Sequence, residues 1–389
     1  MSGERFALVA GGGTAGHLQP ALAIAEALVE AGHARGTIEF VGSERGQDRA
    51  TLEGRGFPFT LLPGRGIVRS LSLRDVLRNL GSLWELGIAL VGGFRVVARA
   101  RPRVVVSVGG YASLAASLAA VVRRVPLVLV NVDAVPGAAI RLFGRFARAS
   151  ATGWEGTPLP RAVVTGTPVR PEIAAVRRGP EDRRSARRLL GLPEDRPTVA
   201  VFGGSLGARS INEAAAALAE RWSGRGDRSI YHIVGRRDWE RYEGRAAGAG
   251  GRGGSANGVL SVTRVPYEER MAAVYSAADV VVCRSGAMTV AELAVAGVPS
   301  ILVPLPGAPG DHQTANARVL EAVGAAVLMT DADCIGGALA EELDLLLADP
   351  CALDAMGRAA SSLGRKDAAA AGAQVVEACA RPVAGEGVA

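Results

Sequence analysis

The chain has 389 residues, a formal net charge of +6 and 49% hydrophobic residues. That length and apolar content supply two cores and exclude a largely disordered chain. The positive balance suits anionic partners, but no basic run with interleaved aromatics and no reading motif accompanies it, so nucleic-acid binding is set aside.

The N-terminus, MSGERFALVAGGG, runs straight into a strand and a glycine loop without the layout of a signal peptide. Apolar runs then alternate with longer helical segments, which predicts α/β architecture with parallel sheets and crossover helices. Strands are expected at 6–10, 37–41, 104–108, 127–130 and 162–165, and in a second series at 198–202, 229–234, 280–283, 300–303 and 326–329. Each series opens on a strand, a glycine cluster and a helix, so two nucleotide-binding-type halves facing across a cleft are expected. The hinge falls at Thr165–Arg170, giving domains 1–166 and 167–365, with a C-terminal helix at about 366–382 packing back on the first. The run 244–258, rich in Gly and Ala, reads as a surface loop, and the tail from about 383 as frayed.

The first loop, Gly11-Gly12-Gly13-Thr14-Ala15-Gly16-His17, joins a strand to a helix. Glycines admit a ligand close to the backbone, and a helix N-terminus offers unpaired N–H groups and positive potential to an anion. The loop also fits G-x-G-x-x-G, so a dinucleotide enzyme is an alternative. That reading needs an acid near the end of the second strand, for which Glu39 and Glu44 are poorly placed candidates. His17 at the mouth of such a loop suits a general base, the alternative being a helix cap.

Residues 64–99 place apolar residues among Arg69, Arg74, Arg78 and Arg95, with Trp84 and Phe94 as anchors, which suits docking on an anionic membrane surface. Glu85 and Arg95 argue against a membrane span there. A cytosolic or surface-bound protein is expected. The cysteines Cys283, Cys334, Cys351 and Cys379 form no CxxC and, with the four histidines, no metal-ligand pattern; they read as buried neutral thiols in a reducing compartment.

In the second half, Gly203-Gly204-Ser205-Leu206-Gly207-Ala208-Arg209 repeats the strand–loop–helix arrangement, and Ser205 can donate to a phosphate oxygen. No Lys follows a final Gly, so this is not a Walker-type loop. Cys283-Arg284-Ser285-Gly286-Ala287-Met288-Thr289-Val290-Ala291-Glu292 again opens a helix after a strand, and Glu292 can accept two hydroxyl hydrogen bonds from a ribose. In Asp311-His312-Gln313-Thr314-Ala315-Asn316, the amides Gln313 and Asn316 suit sugar hydroxyls. Asp331-Ala332-Asp333 superficially fits a metal-binding D-x-D, but is expected to cap a helix at 335–347.

GGGTAGH (11–17), SVGGYAS (107–113), TGTPVR (165–170), GGSLGA (203–208), CRSGAMTVAE (283–292) and DHQTANA (311–317) resemble, in order, the motifs of the MurG family. These are the UDP-N-acetylglucosamine–N-acetylmuramyl-(pentapeptide) pyrophosphoryl-undecaprenol N-acetylglucosamine transferases. The resemblance implies a GT-B fold, with an acceptor and membrane-side first domain and a UDP-GlcNAc-binding second domain. It implies inverting transfer of GlcNAc to the 4-hydroxyl of a lipid-linked muramyl peptide on the inner face of a bacterial membrane, with no obligatory metal and no cofactor beyond the substrate. Carried over by position, Thr14, Ala15 and Gly16 face the donor's sugar and diphosphate, and Arg170 and Ser205 hold the nucleotide or diphosphate. A backbone group near Tyr267 reads the uracil, and Ala287, Met288, Thr289, Val290, Ala291 and Glu292 bind diphosphate and ribose. Gln313 and Asn316 read the GlcNAc, and Tyr111, Asn131 and Asp133 lie on the acceptor side. One departure stands out: the family's His-Glu-Gln-Asn is here Val130-Asn131-Val132-Asp133. It leaves open a paralogue with another acceptor or none. A UDP-GlcNAc 2-epimerase-like enzyme shares the fold, but needs several site carboxylates where only Asp133 and Glu292 offer themselves.

Overall fold

The computed structural model describes residues 4–13, 15–44, 48–63, 73–204, 207–243, 259–335 and 337–382, without the side chains of Ala15, residues 73–84 and Tyr111. The expectations for Thr14, Ser205, Arg69, the run 244–258 and the tail from 383 lie outside these residues, as do those for the side chains of Ala15, Arg74, Arg78, Trp84 and Tyr111. The chain divides into two compact units, residues 1–169 with 365–389, and residues 170–364.

Unit 1 holds a parallel sheet of β1 (Ala7–Gly11), β2 (Ile38–Ser43), β3 (Phe59–Leu62), β4 (Val104–Gly109), β5 (Leu127–Asn131), β6 (Ala149–Thr152) and β7 (Ala162–Val164), in the order β3-β2-β1-β4-β5-β6-β7. Near-continuous apolar runs such as VVVSVG and LVLVN are buried along their whole length, as strands covered on both faces must be. The helix Ala368–Cys379 belongs to this unit, packs on the helix Ala15–Glu30, and adds Ala373, Val376 and Cys379 to the core beneath it.

Unit 2 repeats the plan with β8 (Thr198–Phe202), β9 (Ser229–Ile233), β10 (Ser261–Val265), β11 (Val280–Cys283), β12 (Ser300–Leu302) and β13 (Ala326–Leu328), in the order β10-β9-β8-β11-β12-β13. Asp279, one residue before β11, accepts from Arg183 at 2.6 Å, from Arg187 at 2.7 Å and from the Thr198 amide at 2.7 Å. It thereby ties the helix Pro180–Leu190 to the paired starts of β8 and β11.

In each unit the strand order reverses beside the first strand, between β1 and β4 and between β8 and β11. A parallel sheet opens a crevice at the carboxyl ends of such a strand pair, and the motif loops at 11–17, 107–113, 203–208 and 283–292 follow or overlap the ends of these four strands. Three strands were not expected from sequence: Phe59–Leu62, Ala149–Thr152 and Ser261–Val265. The helix expected at 335–347 is instead two, Asp331–Ile335 and Ala338–Ala348. Among the cysteines, Cys351 is exposed rather than buried. No helix among the described residues is long and apolar enough to cross a membrane.

Candidate active site

In unit 1 the glycine loop leaves β1 with Gly11 and Gly12 buried and enters the helix Ala15–Glu30. A side chain was required that sequence reasoning had missed. Asp48, itself 1% exposed, accepts from the Gly13 amide at 2.9 and 3.0 Å and from the Ser43 amide at 2.8 Å. A Cβ on Gly12 would stand 1.9 Å from Asp48 Oδ2, so glycine there makes room for the carboxylate. The Gly13 N–H is thus spent on an internal anion.

His17 is half-buried in the first turn of that helix. Its ring lies against the loop after β4, where a Cβ on Gly109 would come within 3.0 Å of His17 Cδ2 and 3.1 Å of Nε2. Gly109 and Gly110 have φ of +103° and +82°, a region open to glycine and strained for other residues. The GG of the SVGGYAS motif is therefore the seat of the imidazole. At the end of the next strand, Asn131 is 4% exposed, and its Nδ2 donates to the Asp133 carbonyl at 2.6 Å. Trp154 Nε1 donates to the Val132 carbonyl at 3.2 Å. Asn131 thus folds its own loop, and Asp133 beside it is half-buried. Glu39, the candidate acid of a dinucleotide site, is 2% exposed near the start of β2, bound to Arg5, Arg99 and Thr60. It is in no position to read a ribose; Glu44, exposed directly after β2, is the candidate acid that remains.

Unit 2 carries a cavity of about 700 Å³ at its strand-order reversal, lined by Gly203, Gly204, Gly207, Arg237, Thr289 and Gln313 among others. Its floor is Arg284, whose guanidinium donates to Asp331 at 2.5 and 3.2 Å, to Ser210 at 2.8 Å and to the carbonyls of Val303 and Pro304. The Asp331-Ala332-Asp333 run is thus explained without a metal. Asp331 is committed to Arg284, and Asp333 exchanges hydrogen bonds with Thr330, the residue that starts the short helix. Helix Ala287–Ala296 begins at Gly286 on the cavity wall, and the amides of its first turn have no intrahelical acceptor. Ala287, Met288 and Thr289 are half-buried, whereas the side chains of Val290 and Ala291 face the core, so only their backbone is available to a ligand.

Glu292 lies three residues past Thr289, on the same side of the helix. Its Oε2 accepts from the Tyr275 hydroxyl at 2.8 Å, and its Oε1 stands 3.6 Å from Arg170. Burial pushes the Glu292 carboxyl above the usual carboxylate range, against the opposing pull of Arg170 and Tyr275. Arg170 and Glu292, read separately from the sequence, are therefore an ion pair. Gln313 Oε1 accepts from the Leu305 amide at 3.0 Å, which turns its NH₂ into a donor for a ligand. Asn316 was expected to read sugar hydroxyls, but it is fully buried, and its Nδ2 donates to the Ser285 carbonyl at 3.3 Å. Ser285 Oγ in turn donates to the Gln313 carbonyl at 2.8 Å, so Asn316 and Ser285 brace the helix that presents Gln313.

Tyr267 is half-exposed after β10, with the Arg236 guanidinium 4.5 Å above its ring. Its loop is fixed by Glu268, which accepts from Tyr231 at 2.5 Å and from the Arg270 side chain at 2.9 Å through both oxygens. Burial alone would raise this carboxyl, but the bonds from Arg270 and Tyr231 prevail and hold it at about 2. A carboxylate with a depressed folded-state value stabilises the fold above its unfolded value, near 4.5, and loses that contribution as pH falls toward about 2. Thermal melting of wild type should weaken over that acidic window, and Glu268→Gln should flatten the window while lowering stability at neutral pH. A variant with an unaltered pH profile would show that the loop is held otherwise.

Comparison with known proteins agrees with this layout. Residues 7–152 match the glycosyltransferase family 28 N-terminal domain, and residues 198–371 match the glycosyltransferase family 28 C-terminal domain. The chain is 38% identical to the UDP-N-acetylglucosamine–N-acetylmuramyl-(pentapeptide) pyrophosphoryl-undecaprenol N-acetylglucosamine transferase of Desulforudis audaxviator (strain MP104C), over 92% of this chain and 94% of the relative. The protein of the same name in Rhodococcus opacus (strain B4) is 38% identical over 97% of each chain. Among solved structures, that of Acinetobacter baumannii MurG is similar with a TM-score of 0.72 and 26% identity, covering 97% of this chain and 99% of the other. The chain belongs to glycosyltransferase family 28, and within it to the MurG family of N-acetylglucosamine transferases.

Proposed function

We propose that this chain is an inverting hexosyltransferase that moves GlcNAc from UDP-GlcNAc to the 4-hydroxyl of the MurNAc of undecaprenyl-diphosphate-linked muramyl pentapeptide, a step of peptidoglycan synthesis. The observation that carries this reading is likeness at 38% identity along nearly the whole chain to relatives of that single name, with both halves of family 28 in register. The epimerase alternative is not favoured. It calls for several cleft carboxylates, and the relatives matched along nearly the whole chain carry the transferase name.

In this reading unit 2 holds the donor. The glycine loop after β8, with Ser205, and the first-turn amides at Ala287–Thr289 take the diphosphate. Arg170 and Glu292 exchange their mutual contact for the nucleotide, Glu292 accepting the ribose hydroxyls. The backbone beside Tyr267 meets the uracil, and Gln313 donates to the sugar. Amides aimed at the leaving diphosphate are positioned before reaction, where they stabilise charge that grows in the transition state. Unit 1 supplies the base: His17 takes the proton of the acceptor hydroxyl as that oxygen attacks the anomeric carbon, with Thr14, Ala15 and Gly16 toward the donor and Tyr111 and Asp133 toward the acceptor. No step calls for a metal, since amides and guanidinium groups supply the positive potential. A bound nucleotide must protect the fold, so UDP at 100 times its dissociation constant should stabilise the protein by about 2.7 kcal/mol. An unfolding midpoint indifferent to UDP would remove this reading.

A lipid-linked acceptor places the enzyme at a membrane surface, on the cytoplasmic face where UDP-GlcNAc is available. In support, unit 1 exposes Val122, Leu142 and Phe146, the last at 48%. A groove of about 460 Å³ beside Phe146 is bordered by Arg124, Arg148 and Arg161. Apolar side chains ringed by cations suit an anionic interface, at about 1 kcal/mol per nearby cation. Co-sedimentation with liposomes should rise with anionic lipid, and a double change of Arg148 and Arg161 to Gln should cut it by roughly tenfold or more. Binding that ignores lipid charge would speak against this surface.

A further inference from the structure

The cavity of unit 2 has one wall that no motif of the family accounts for. Arg237, in the loop after β9, lines it with a side chain that is 56% exposed. In a chain so rich in arginine, a guanidinium near a cavity means little by itself. What distinguishes this one is the buried polar chain behind it. Arg237 donates through Nε to Asp238 Oδ1 at 3.1 Å and through Nη2 to Oδ2 at 3.4 Å, and reaches the Gly207 carbonyl at 3.5 Å. Asp238 is 9% exposed and also accepts from Asn212 Nδ2 at 3.2 Å. Asn212, fully buried in the helix that follows the second glycine loop, donates to the Val234 carbonyl at 3.0 Å, and its Oδ1 pairs with His232 Nε2 at 2.9 Å.

The direction of each bond is fixed. Burial, helped by the charge of Arg264, pushes the His232 imidazole down to about 3, so the ring is neutral at physiological pH. With the Asn212 NH₂ spent on Val234 and Asp238, its oxygen faces His232, which must donate. The chain runs from His232 through Asn212 to an ionised Asp238, whose remaining capacity is spent on Arg237. The bond from Arg237 in turn holds the Asp238 carboxyl below its ordinary range. The glycine loop is locked to the same place, since a Cβ on Gly207 would meet the Val234 carbonyl at 2.4 Å. Buried polar groups are costly unless each is satisfied, and here the satisfied series ends at a cation aimed into a cavity. Glu213, the acid that also lines the cavity, is answered by Arg241 at 3.3 Å, so it does not neutralise Arg237.

We propose that Arg237 is a contact for the donor diphosphate, and that Asp238, Asn212 and His232 are positioning residues that aim it. This rests on the reading that the cavity receives the diphosphate of a UDP-sugar. The test is calorimetric titration of the full-length protein with UDP and with uridine, which lacks phosphate. Arg237→Ala should weaken UDP by about tenfold or more, as expected for loss of a charge-assisted hydrogen bond. Uridine should change by less than about twofold, and Arg237→Lys should recover part of the loss, since it restores charge without the fork. Asp238→Asn should weaken UDP several-fold in the wild-type background and add nothing in the Arg237→Ala background. Equal losses for UDP and uridine, or no loss for either, would overturn the role of Arg237. An additive loss in the double variant would overturn the role of Asp238. A wild-type protein that binds no UDP would instead refute the reading of the cavity.

Discussion

His17→Ala should lower turnover by about 10²–10⁴-fold, the usual contribution of a general base, while UDP affinity stays at the wild-type level. The split follows from placement: the imidazole sits in unit 1 on the Gly109–Gly110 backbone, and the groups assigned to uracil and ribose, beside Tyr267 and at Arg170 and Glu292, belong to unit 2. The seat can be tested without touching the base. Gly109→Ala forces a Cβ to within 3.0 Å of the imidazole at a φ of +103°, so ring or backbone must move. Turnover should fall there too, because displacing a reacting group by about 1 Å costs on the order of 10²-fold. Steady-state rates at saturating donor and acceptor, paired with UDP calorimetry, check both variants. Undiminished turnover in His17→Ala would remove His17 from the role of base.

Glu292→Ala should weaken UDP by roughly 10–100-fold, the range for hydrogen bonds to a charged group. The ribose loses its acceptor, while Arg170 keeps the Glu172 carboxylate at 3.3 Å. Glu292→Gln keeps the shape and the Tyr275 contact, and should recover part of the loss. The raised carboxyl value adds a sign that can be checked. Since the ribose is accepted by the ionised form, UDP affinity should decline on acidification at a pH above the ordinary carboxylate range, and Glu292→Gln should abolish that limb. Calorimetry across pH with both variants decides. Wild-type affinity in Glu292→Ala would place the ribose elsewhere.

The strands that position these groups were readable where they are apolar throughout. VVVSVG, TVAVF and VVVC announce themselves by composition. The missed strands lack that signal. Phe59–Leu62 is four residues between Pro58 and Pro63, Ala149–Thr152 is built of small residues, and Ser261–Val265 alternates with polar residues directly after the Gly-rich run. The site divides in the same way. Glu292 and Gln313 were visible because each sits at fixed spacing from a strand and a helix start. Asp48 was not, since it meets Gly13 across 35 residues of chain, and Asn212 meets His232 across 20. Asn316 is not legible in sequence because an amide suited to a sugar is equally suited to a backbone carbonyl, and only packing tells which it finds. The segment Asn131–Asp133 shows the same rule. Its departure from the family pattern was plain in sequence, but that Asn131 serves its own loop is a tertiary fact.

The most direct measurement is release of UDP from UDP-GlcNAc by the full-length chain, with and without a lipid I analogue, in EDTA throughout. Release should appear only when the acceptor is present and should match, mole for mole, the GlcNAc-bearing lipid formed. UDP liberated without acceptor, conversion to UDP-ManNAc, or nucleotide binding with no turnover would each contradict a glycosyl transfer to this acceptor.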